Sequence, residues 1–340
     1  GKAKLSYQPL YGMYSEKLSL QKGGNSMNIK ELLGRRLVFF DGAMGTLLQE
    51  RGLDAGEAPE PWNLLHPEIV ENIHRSYLDA GCDILKTNTF GANAVKLRGS
   101  GYETKEVVTA AVKIARRAVS ACGREAFVAM DIGSTGKLLR PLGDLGFEEA
   151  YDAFREAAVA GERAGADLIL IETMSDTYEA KAALLAAKEN NALPVFVTLI
   201  LDENGKLLTG GTVAAAAAML EGLGADAIGF NCGLGPDQMV ALLPELRSCC
   251  SLPLVINPNA GLPRSVDGKT VFYVDAGSFA QSMFRLAQDG AWIIGGCCGT
   301  TPGHIRAMVE RCRGLSPAVL EPKNETVVSS YARAVSFGTR

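Results

Sequence analysis

Short runs of apolar and β-branched residues recur eight times along this chain, and a segment with helical spacing follows each run. Regular alternation of strands and helices predicts an α/β fold with parallel strands, because each helix carries the chain back to the starting edge of the sheet. The predicted strands cover residues 37–41, 83–90, 127–133, 167–173, 195–201, 227–232, 254–259 and 292–296. The helical segments lie near residues 69–78, 107–122, 148–164, 178–190, 213–223, 238–249, 278–288 and 302–313.

Eight such units favour a closed (β/α)₈ (TIM) barrel, which usually needs ~250 residues. A doubly wound open sheet is the alternative fold, but it usually has fewer strands and a glycine-rich phosphate turn after the first. A weak repeat supports the barrel, because a glycine suited to a left-handed helix end precedes four strands, at Gly81, Gly165, Gly224 and Gly290. The longest loops follow strands, as expected for the functional face of a barrel.

Composition argues against several other classes of protein. The formal net charge is −4 and no five Lys or Arg residues cluster, so we expect no nucleic-acid partner. No apolar run approaches the ~18 residues that span a bilayer, so we expect no membrane partner. Eight cysteines in 340 residues are too sparse for a disulfide scaffold, and they indicate reduced thiols in the cytoplasm.

Two segments fall outside the eight repeated units. Residues 1–28 show no sustained periodicity, and we interpret them as an N-terminal extension or a remnant of cloning. The barrel is expected to cover residues 29–315. The polar residues 316–340 predict a tail or a linker toward a following module.

Three cysteines follow two of the predicted strands. Cys232 ends the sixth strand, and Cys297 and Cys298 follow the eighth strand within the sequence Gly-Gly-Cys-Cys-Gly-Thr of residues 295–300. Three thiols that converge on the barrel mouth could bind one zinc ion and leave its fourth position open for chemistry. The glycines of this motif leave room for unusual backbone dihedral angles.

Polar residues end other predicted strands as well, namely Asp41, Thr87, Asn88, Thr89, Asp131, Glu172, Thr198, Asn231, Asn257 and Asn259. None of the three histidines ends a strand, which argues against a Ser-His-Asp or Cys-His hydrolase. A zinc ion with three thiolates is a poor activator of water, but it can deprotonate a thiol ligand for alkyl transfer. The carboxylates of Asp41 and Glu172 could then hold the ammonium group of a thiol-bearing amino acid.

Five short motifs appear in the order typical of the homocysteine S-methyltransferase family, which this chain resembles over about residues 30–315. They are Asp-Gly-Ala-Met-Gly-Thr at 41–46, Thr-Asn-Thr-Phe at 87–90, Glu-Thr at 172–173, Asn-Cys at 231–232 and the double-cysteine motif at 295–300. The resemblance implies that Cys232, Cys297 and Cys298 bind zinc, and that the homocysteine amine lies near Asp41 and Glu172. We name Thr89 and Asn231 as further candidate substrate-binding residues.

The first two motifs look most like those of the homocysteine module of cobalamin-dependent methionine synthase. This resemblance implies methionine as product, a methylcobalamin donor on another module, and partner modules that bind cobalamin and methyltetrahydrofolate. The substrate thiol, once activated by zinc, needs no general acid or base. One alternative is a stand-alone enzyme that uses S-methylmethionine. Another, of a different class, is a non-catalytic zinc or redox-sensing barrel switched by the Cys297–Cys298 pair.

Overall fold

The computed structural model describes residues 28–266 and 269–339, and a parallel sheet of eight strands forms its centre. The strands are β1 (Val38–Phe39), β2 (Ile84–Lys86), β3 (Phe127–Ile132), β4 (Leu168–Met174), β5 (Val195–Leu199), β6 (Ala227–Asn231), β7 (Leu254–Asn257) and β10 (Ala291–Ile294). They pair in the order β1-β10-β7-β6-β5-β4-β3-β2, and a parallel bridge between Phe40 and Ile84 joins the two end strands. The predicted (β/α)₈ barrel is therefore confirmed, and the open doubly wound sheet does not form.

Helices surround this sheet. The long ones are α4 (Pro67–Asp79), α5 (Thr104–Ala121), α6 (Phe147–Ala164), α7 (Thr177–Asn190), α8 (Val213–Gly222), α9 (Pro236–Cys249), α10 (Ala276–Gln288) and α11 (Pro302–Cys312). Shorter helices are α1 (Ile29–Leu32), α2 (Met44–Gln49) and α3 (Trp62–Leu65). The glycines predicted at four helix ends all adopt positive φ, between 87° and 122°. Glycine carries no Cβ penalty in that conformation, which explains the repeat in the sequence.

Alternate residues of each barrel strand face the interior, because side chains along a strand point to opposite sides. In β4, Leu168 and Leu170 belong to the buried interior cluster, and Glu172 occupies the next position on that side. Ile29 and Leu32 of α1 join the same cluster and close the other end of the barrel. The alternation places a ring of buried polar side chains at the carboxyl ends of six strands, namely Lys86, Asp131, Glu172, Thr198, Asn231 and Asn257.

Two small hairpins are added to the barrel. In the loop after β7, β8 (Arg264–Val266) pairs antiparallel with β9 (Lys269–Val271). In the segment expected to be a polar tail, β11 (Glu325–Ser329) pairs antiparallel with β12 (Ala334–Thr339). This second hairpin packs against α8, and its Tyr331 carbonyl accepts a hydrogen bond from the Thr177 hydroxyl at 3.0 Å.

The segment interpreted as an extension, residues 1–28, lies outside the described residues except for Asn28. The Asn28 side chain accepts a hydrogen bond from the Lys30 amide and caps α1. Within the described ranges, no helix is both long enough and apolar enough to cross a membrane.

A close approach between β6 and β7 gives a test of the packing. A Cβ atom on Gly229 of β6 would overlap the carbonyl oxygen of Val255 in β7. We expect Gly229→Ala to lower the free energy of unfolding by ~3 kcal/mol or more, because the two backbones must separate. Urea unfolding followed by circular dichroism measures this change.

The matched control is Gly222→Ala, at a helical glycine with open space around its Cβ position. Alanine is the better helix former, so this variant should gain up to ~1 kcal/mol. If Gly229→Ala unfolds at the same urea concentration as the wild-type chain, β6 and β7 do not pack as closely as in this structure.

Candidate metal centre

Cys232, Cys297 and Cys298 come together at the carboxyl ends of β6 and β10. Their sulfur atoms lie within 4.8 Å of one another, and the Sγ atoms of Cys232 and Cys298 are 3.9 Å apart. A tetrahedral zinc site with Zn–S bonds of ~2.3 Å places its sulfurs ~3.8 Å apart, so the cluster fits this ion. No other set of three or more His, Cys, Asp or Glu side chains converges this closely in the described part of the chain.

The backbone of Cys232 adopts a conformation that non-glycine residues rarely take. Its φ is 57°, in the left-handed region, which costs a residue with a Cβ ~1 kcal/mol. Two hydrogen bonds fix the turn: the Cys232 amide donates to the Asn257 carbonyl at 3.1 Å, and the Leu234 amide donates to the Cys232 carbonyl at 2.7 Å. The turn directs the thiol toward the other two cysteines instead of along the strand.

The double-cysteine loop is held from both sides. The Cys297 amide donates to the Pro258 carbonyl at 2.8 Å, and the Ala260 amide donates to the Cys298 carbonyl at 2.9 Å. Gly299 has a φ of 77°, as expected for a glycine that provides an unusual dihedral angle. Gly295 and Gly296 do not have positive φ, and are needed because a Cβ atom there would collide with neighbouring side chains.

Tyr77 links the first and last loops of the barrel mouth. Its buried hydroxyl lies 2.8 Å from the carbonyl of Ala43 and 3.2 Å from that of Thr300. The Ala43 amide donates to the Thr300 hydroxyl at 3.2 Å, which links the two loops directly. We call these contacts of Tyr77, Ala43 and Thr300 the seam. The motif after β1 and the motif after β10 therefore form one connected structure.

The three thiols share protons unequally. Hydrogen bonds from Cys297 and Cys298 lower the pKa of Cys232 to about 3. As the donor to Cys232, Cys297 has its pKa raised to about 11, and the pKa of Cys298 is raised for the same reason. The lowered pKa favours the thiolate form of Cys232, and a negative charge there favours a cation among the sulfurs.

Three carboxyl groups are buried at the same mouth. Asp41, Asp131 and Glu172 are at most 6% exposed, and each has a buried oxygen with no hydrogen-bond partner: Asp41 Oδ1, Asp131 Oδ1 and Glu172 Oε2. Burial raises the pKa of Asp41 and of Glu172 to about 7, and it also raises the pKa of Asp131. Unpaired buried acceptors are costly, so the cluster is suited to a ligand with several N–H donors, such as an ammonium group.

Lys86 is a site residue that the sequence analysis missed. Its ammonium group donates to the Gly296 carbonyl at 3.1 Å and lies 3.7 Å from Glu172 Oε2, and the residue is 7% exposed. Its amide donates to Asp41 Oδ2 at 2.9 Å. The sequence feature that could have identified Lys86 is its position two residues after Ile84, because side chains two residues apart on a strand point to the same side.

The structure places Thr89 and Asn231 in hydrogen-bond networks beneath the mouth. The Thr89 hydroxyl donates to the Asp131 carbonyl at 2.6 Å and contacts the Thr87 hydroxyl. The Asn231 carboxamide oxygen accepts from the Thr173 amide and the Thr198 hydroxyl, both at 2.8 Å, and its nitrogen faces the Cys297 sulfur at 3.9 Å. Both side chains hold strand ends and neighbouring site groups in position.

Comparison with known proteins identifies related sequences over most of the chain. The homocysteine S-methyltransferase family matches residues 38–312, from β1 through α11. The chain is 34% identical over 340 residues to the methionine synthase of Mycobacterium leprae, and 33% identical over 331 residues to that of Mycobacterium tuberculosis. These alignments cover 92% and 91% of this chain but only 28% and 27% of the relatives. The chain therefore spans a little over a quarter of their length.

Solved structures show a similar barrel. The metallated form of the homocysteine methyltransferase MmuM from Escherichia coli superposes with a TM-score of 0.69 at 26% identity. Its apo form gives a TM-score of 0.64 at 26% identity. Both superpositions cover 81% of this chain and 96% of the MmuM chain.

The raised pKa of Asp41 predicts a pH-dependent loss of stability in the metal-free chain. Because the folded-state pKa of about 7 exceeds the ordinary 3.8, the folded state binds more protons than the unfolded state between these values. Its stability must therefore fall as the pH rises through this window. Asp41→Asn removes this contribution, so the wild type should lose stability relative to the variant by up to ~1.4 kcal/mol per pH unit.

Urea unfolding of both chains between about pH 4.5 and about pH 6.5 measures the difference. The control is Asp54→Asn, which makes the same substitution at an exposed aspartate and is measured over the same range. A wild-type chain that gains stability relative to Asp41→Asn as the pH rises contradicts the prediction.

Proposed function

The chain belongs to the homocysteine S-methyltransferase family, and from this premise we propose that it transfers a methyl group to the sulfur of L-homocysteine, giving L-methionine. The observation that carries the proposal is the juxtaposition of two clusters at one mouth, three thiols and three buried carboxyl groups. Lys86 lies between the clusters, since its Nζ atom donates to the Gly296 carbonyl next to Cys297 and is 3.7 Å from Glu172 Oε2. One cluster suits a thiol bound through a metal, and the other suits an ammonium group.

Cys232, Cys297 and Cys298 are the residues that would hold a zinc ion. When bound by three thiolates, zinc supplies a fourth position for a substrate thiol and favours loss of its proton, which makes the sulfur nucleophilic at neutral pH. The protein's part is to hold three sulfurs in place, with the strained turn at Cys232 fixing one and the double-cysteine loop fixing two. Zinc sites need reduced thiols, so we place the protein in the cytoplasm.

Asp41 and Glu172 are proposed to bind the α-ammonium group of homocysteine, with Asp131 beside them. Asp41 Oδ1 and Glu172 Oε2, which accept no hydrogen bond from the protein, provide acceptors for the N–H groups of the substrate. Thr89 and Asn231 contribute to the substrate subsite by holding its residues in place. Thr89 fixes the backbone of Asp131. Asn231 connects β4 and β5 to the Cys297 thiol. No side chain is assigned as general acid or base, because the substrate sulfur has lost its proton before the methyl group is transferred.

For the methyl donor, we propose methylcobalamin carried by another module and recharged from 5-methyltetrahydrofolate. The methionine synthases of two Mycobacterium species, each more than three times the length of the matched region, support this choice. In this proposal residues 29–315 form the homocysteine barrel, and residues 316–340 lead toward the following modules. The likeness to MmuM favours a second candidate, a stand-alone enzyme with a small methyl donor such as S-methylmethionine.

Loss of one cysteine tests the metal assignment. We expect Cys298→Ala to weaken zinc binding by more than ~100-fold, because two thiolates cannot satisfy the tetrahedral ion. Elemental analysis of the purified chain, followed by competition with a chelator, measures this. Cys249→Ala is the control, since that half-buried thiol ends α9 away from the cluster, and it should retain zinc. Undiminished zinc affinity in Cys298→Ala would mean that the ligand set is wrong.

The donor is tested with the zinc-loaded chain and homocysteine. We expect methionine to form with exogenous methylcobalamin, and not with S-methylmethionine or with free 5-methyltetrahydrofolate. Mass spectrometry of labelled methionine detects each reaction. Turnover with S-methylmethionine alone would favour the stand-alone candidate, and absence of methionine with every donor would count against the proposed transfer.

A further inference from the structure

We propose that Lys86 is a positioning residue of the homocysteine subsite, where its buried ammonium is the fixed counter-cation that keeps the three carboxylates ready to receive the substrate's α-ammonium group. This inference rests on the proposed function and deepens it. It assigns to Lys86 the discrimination between an amino acid thiol and a thiol that lacks the amino group.

Lys86 contacts both halves of the site. Its Nζ atom donates to the Gly296 carbonyl, one residue before the cysteine pair, and lies 3.7 Å from Glu172 Oε2. Its backbone amide donates to Asp41 Oδ2 at 2.9 Å. One residue at the end of β2 therefore connects the loop of the cysteine pair to the two acids proposed to hold the substrate amine.

Acidic groups outnumber basic groups around Lys86. The groups that act on Lys86 are Glu172, Asp41, Cys297 and Asp131, and all of them attract its cation. Three buried carboxyl groups surround one ammonium group, and a carboxyl group ionised there needs a cation beside it. A substrate ammonium would bring a second cation, and each carboxyl group has one oxygen that accepts no hydrogen bond, which gives three acceptors for its three N–H donors.

Removal of the Lys86 charge should affect the amine subsite selectively. Burial favours the neutral form of Asp41 and Glu172, and the attraction of Lys86 is the largest influence that favours their ionised form, lowering the pKa of each. A protonated carboxyl group accepts fewer hydrogen bonds and offers an ammonium group no charge. Because Lys86 acts through these acids, its loss should weaken binding of the amine and leave binding of the sulfur intact.

The test compares L-homocysteine with 4-mercaptobutanoate, which has the same carbon chain, thiol and carboxylate but no amino group. The variant is Lys86→Gln, whose amide can still donate a hydrogen bond toward the Gly296 carbonyl without carrying charge. Lys86→Arg, which keeps the charge, is the matched control. Calorimetry with the zinc-loaded full chain gives both dissociation constants, and zinc analysis confirms that the cluster is intact.

We expect Lys86→Gln to weaken homocysteine binding at least about tenfold, as for loss of a charge-assisted interaction. The affinity for 4-mercaptobutanoate should change less than about twofold, and Lys86→Arg should keep most of the preference for homocysteine. If Lys86→Gln does not fold, Lys86→Met gives the same comparison, since it too removes the charge.

Two results would overturn the inference alone: an equal loss of affinity for both thiols, or a Lys86→Gln chain that keeps the wild-type preference for homocysteine. A wild-type chain that binds both thiols equally would instead overturn the proposed homocysteine specificity, and the role of Lys86 with it. The outcome in the wild type therefore separates a failure of the proposed function from a failure of this inference.

Discussion

Closure of eight parallel strands into a barrel is the constraint on which the rest of this structure depends. Closure gives all strands one shared interior and brings their carboxyl ends to one mouth. Because side chains alternate along a strand, the last interior position of each strand must face the same small volume. Six of these positions, on β2 to β7, carry buried polar side chains, and the cysteines follow β6 and β10. The site is thus a product of strand register more than of any single loop.

The mouth contains two groups of side chains that are each electrically incomplete. Among the three thiols the lowered pKa of Cys232 favours a negative charge, and the three carboxyl groups have one lysine among them. Buried charge is costly unless it is paired, so each group favours a positively charged ligand. In the proposed function, a metal ion would satisfy the first group and an ammonium group the second. The features that would lower stability in an ordinary core are therefore the ones on which the proposed selectivity depends.

Periodicity made most of the fold predictable from sequence. The eight strands and eight long helices coincide with the predicted segments, because strand and helix repeats are local properties of the chain. The hairpin of β11 and β12 was not foreseen, since its packing on α8 depends on contacts between residues that are distant in the sequence. Lys86 was missed because the polar end of this strand was placed at residues 87–89, although the alternation of Lys86 with Ile84 indicates an inward side chain.

Other details of the site could not have been obtained from sequence. The left-handed turn at Cys232 is set by the carbonyl of Asn257 on the neighbouring strand. The seam through Tyr77 joins residues more than two hundred positions apart, and no local sequence pattern predicts such a contact. Gly295 and Gly296 were assigned a conformational role, but what requires glycine there is the proximity of other side chains. Each of these features depends on contacts that exist only after the barrel has closed.

The seam also bears on the order in which the site is completed during synthesis. The ribosome delivers Asp41 first and the pair Cys297 and Cys298 more than 250 residues later. Tyr77 cannot complete its bonds, and three thiols cannot meet, until the eighth unit has left the ribosome. A nascent chain released earlier keeps Cys232 as a lone thiol and leaves β1 without its partner β10. The cluster of three cysteines is therefore among the last features to form, and its presence indicates that the whole barrel has been made.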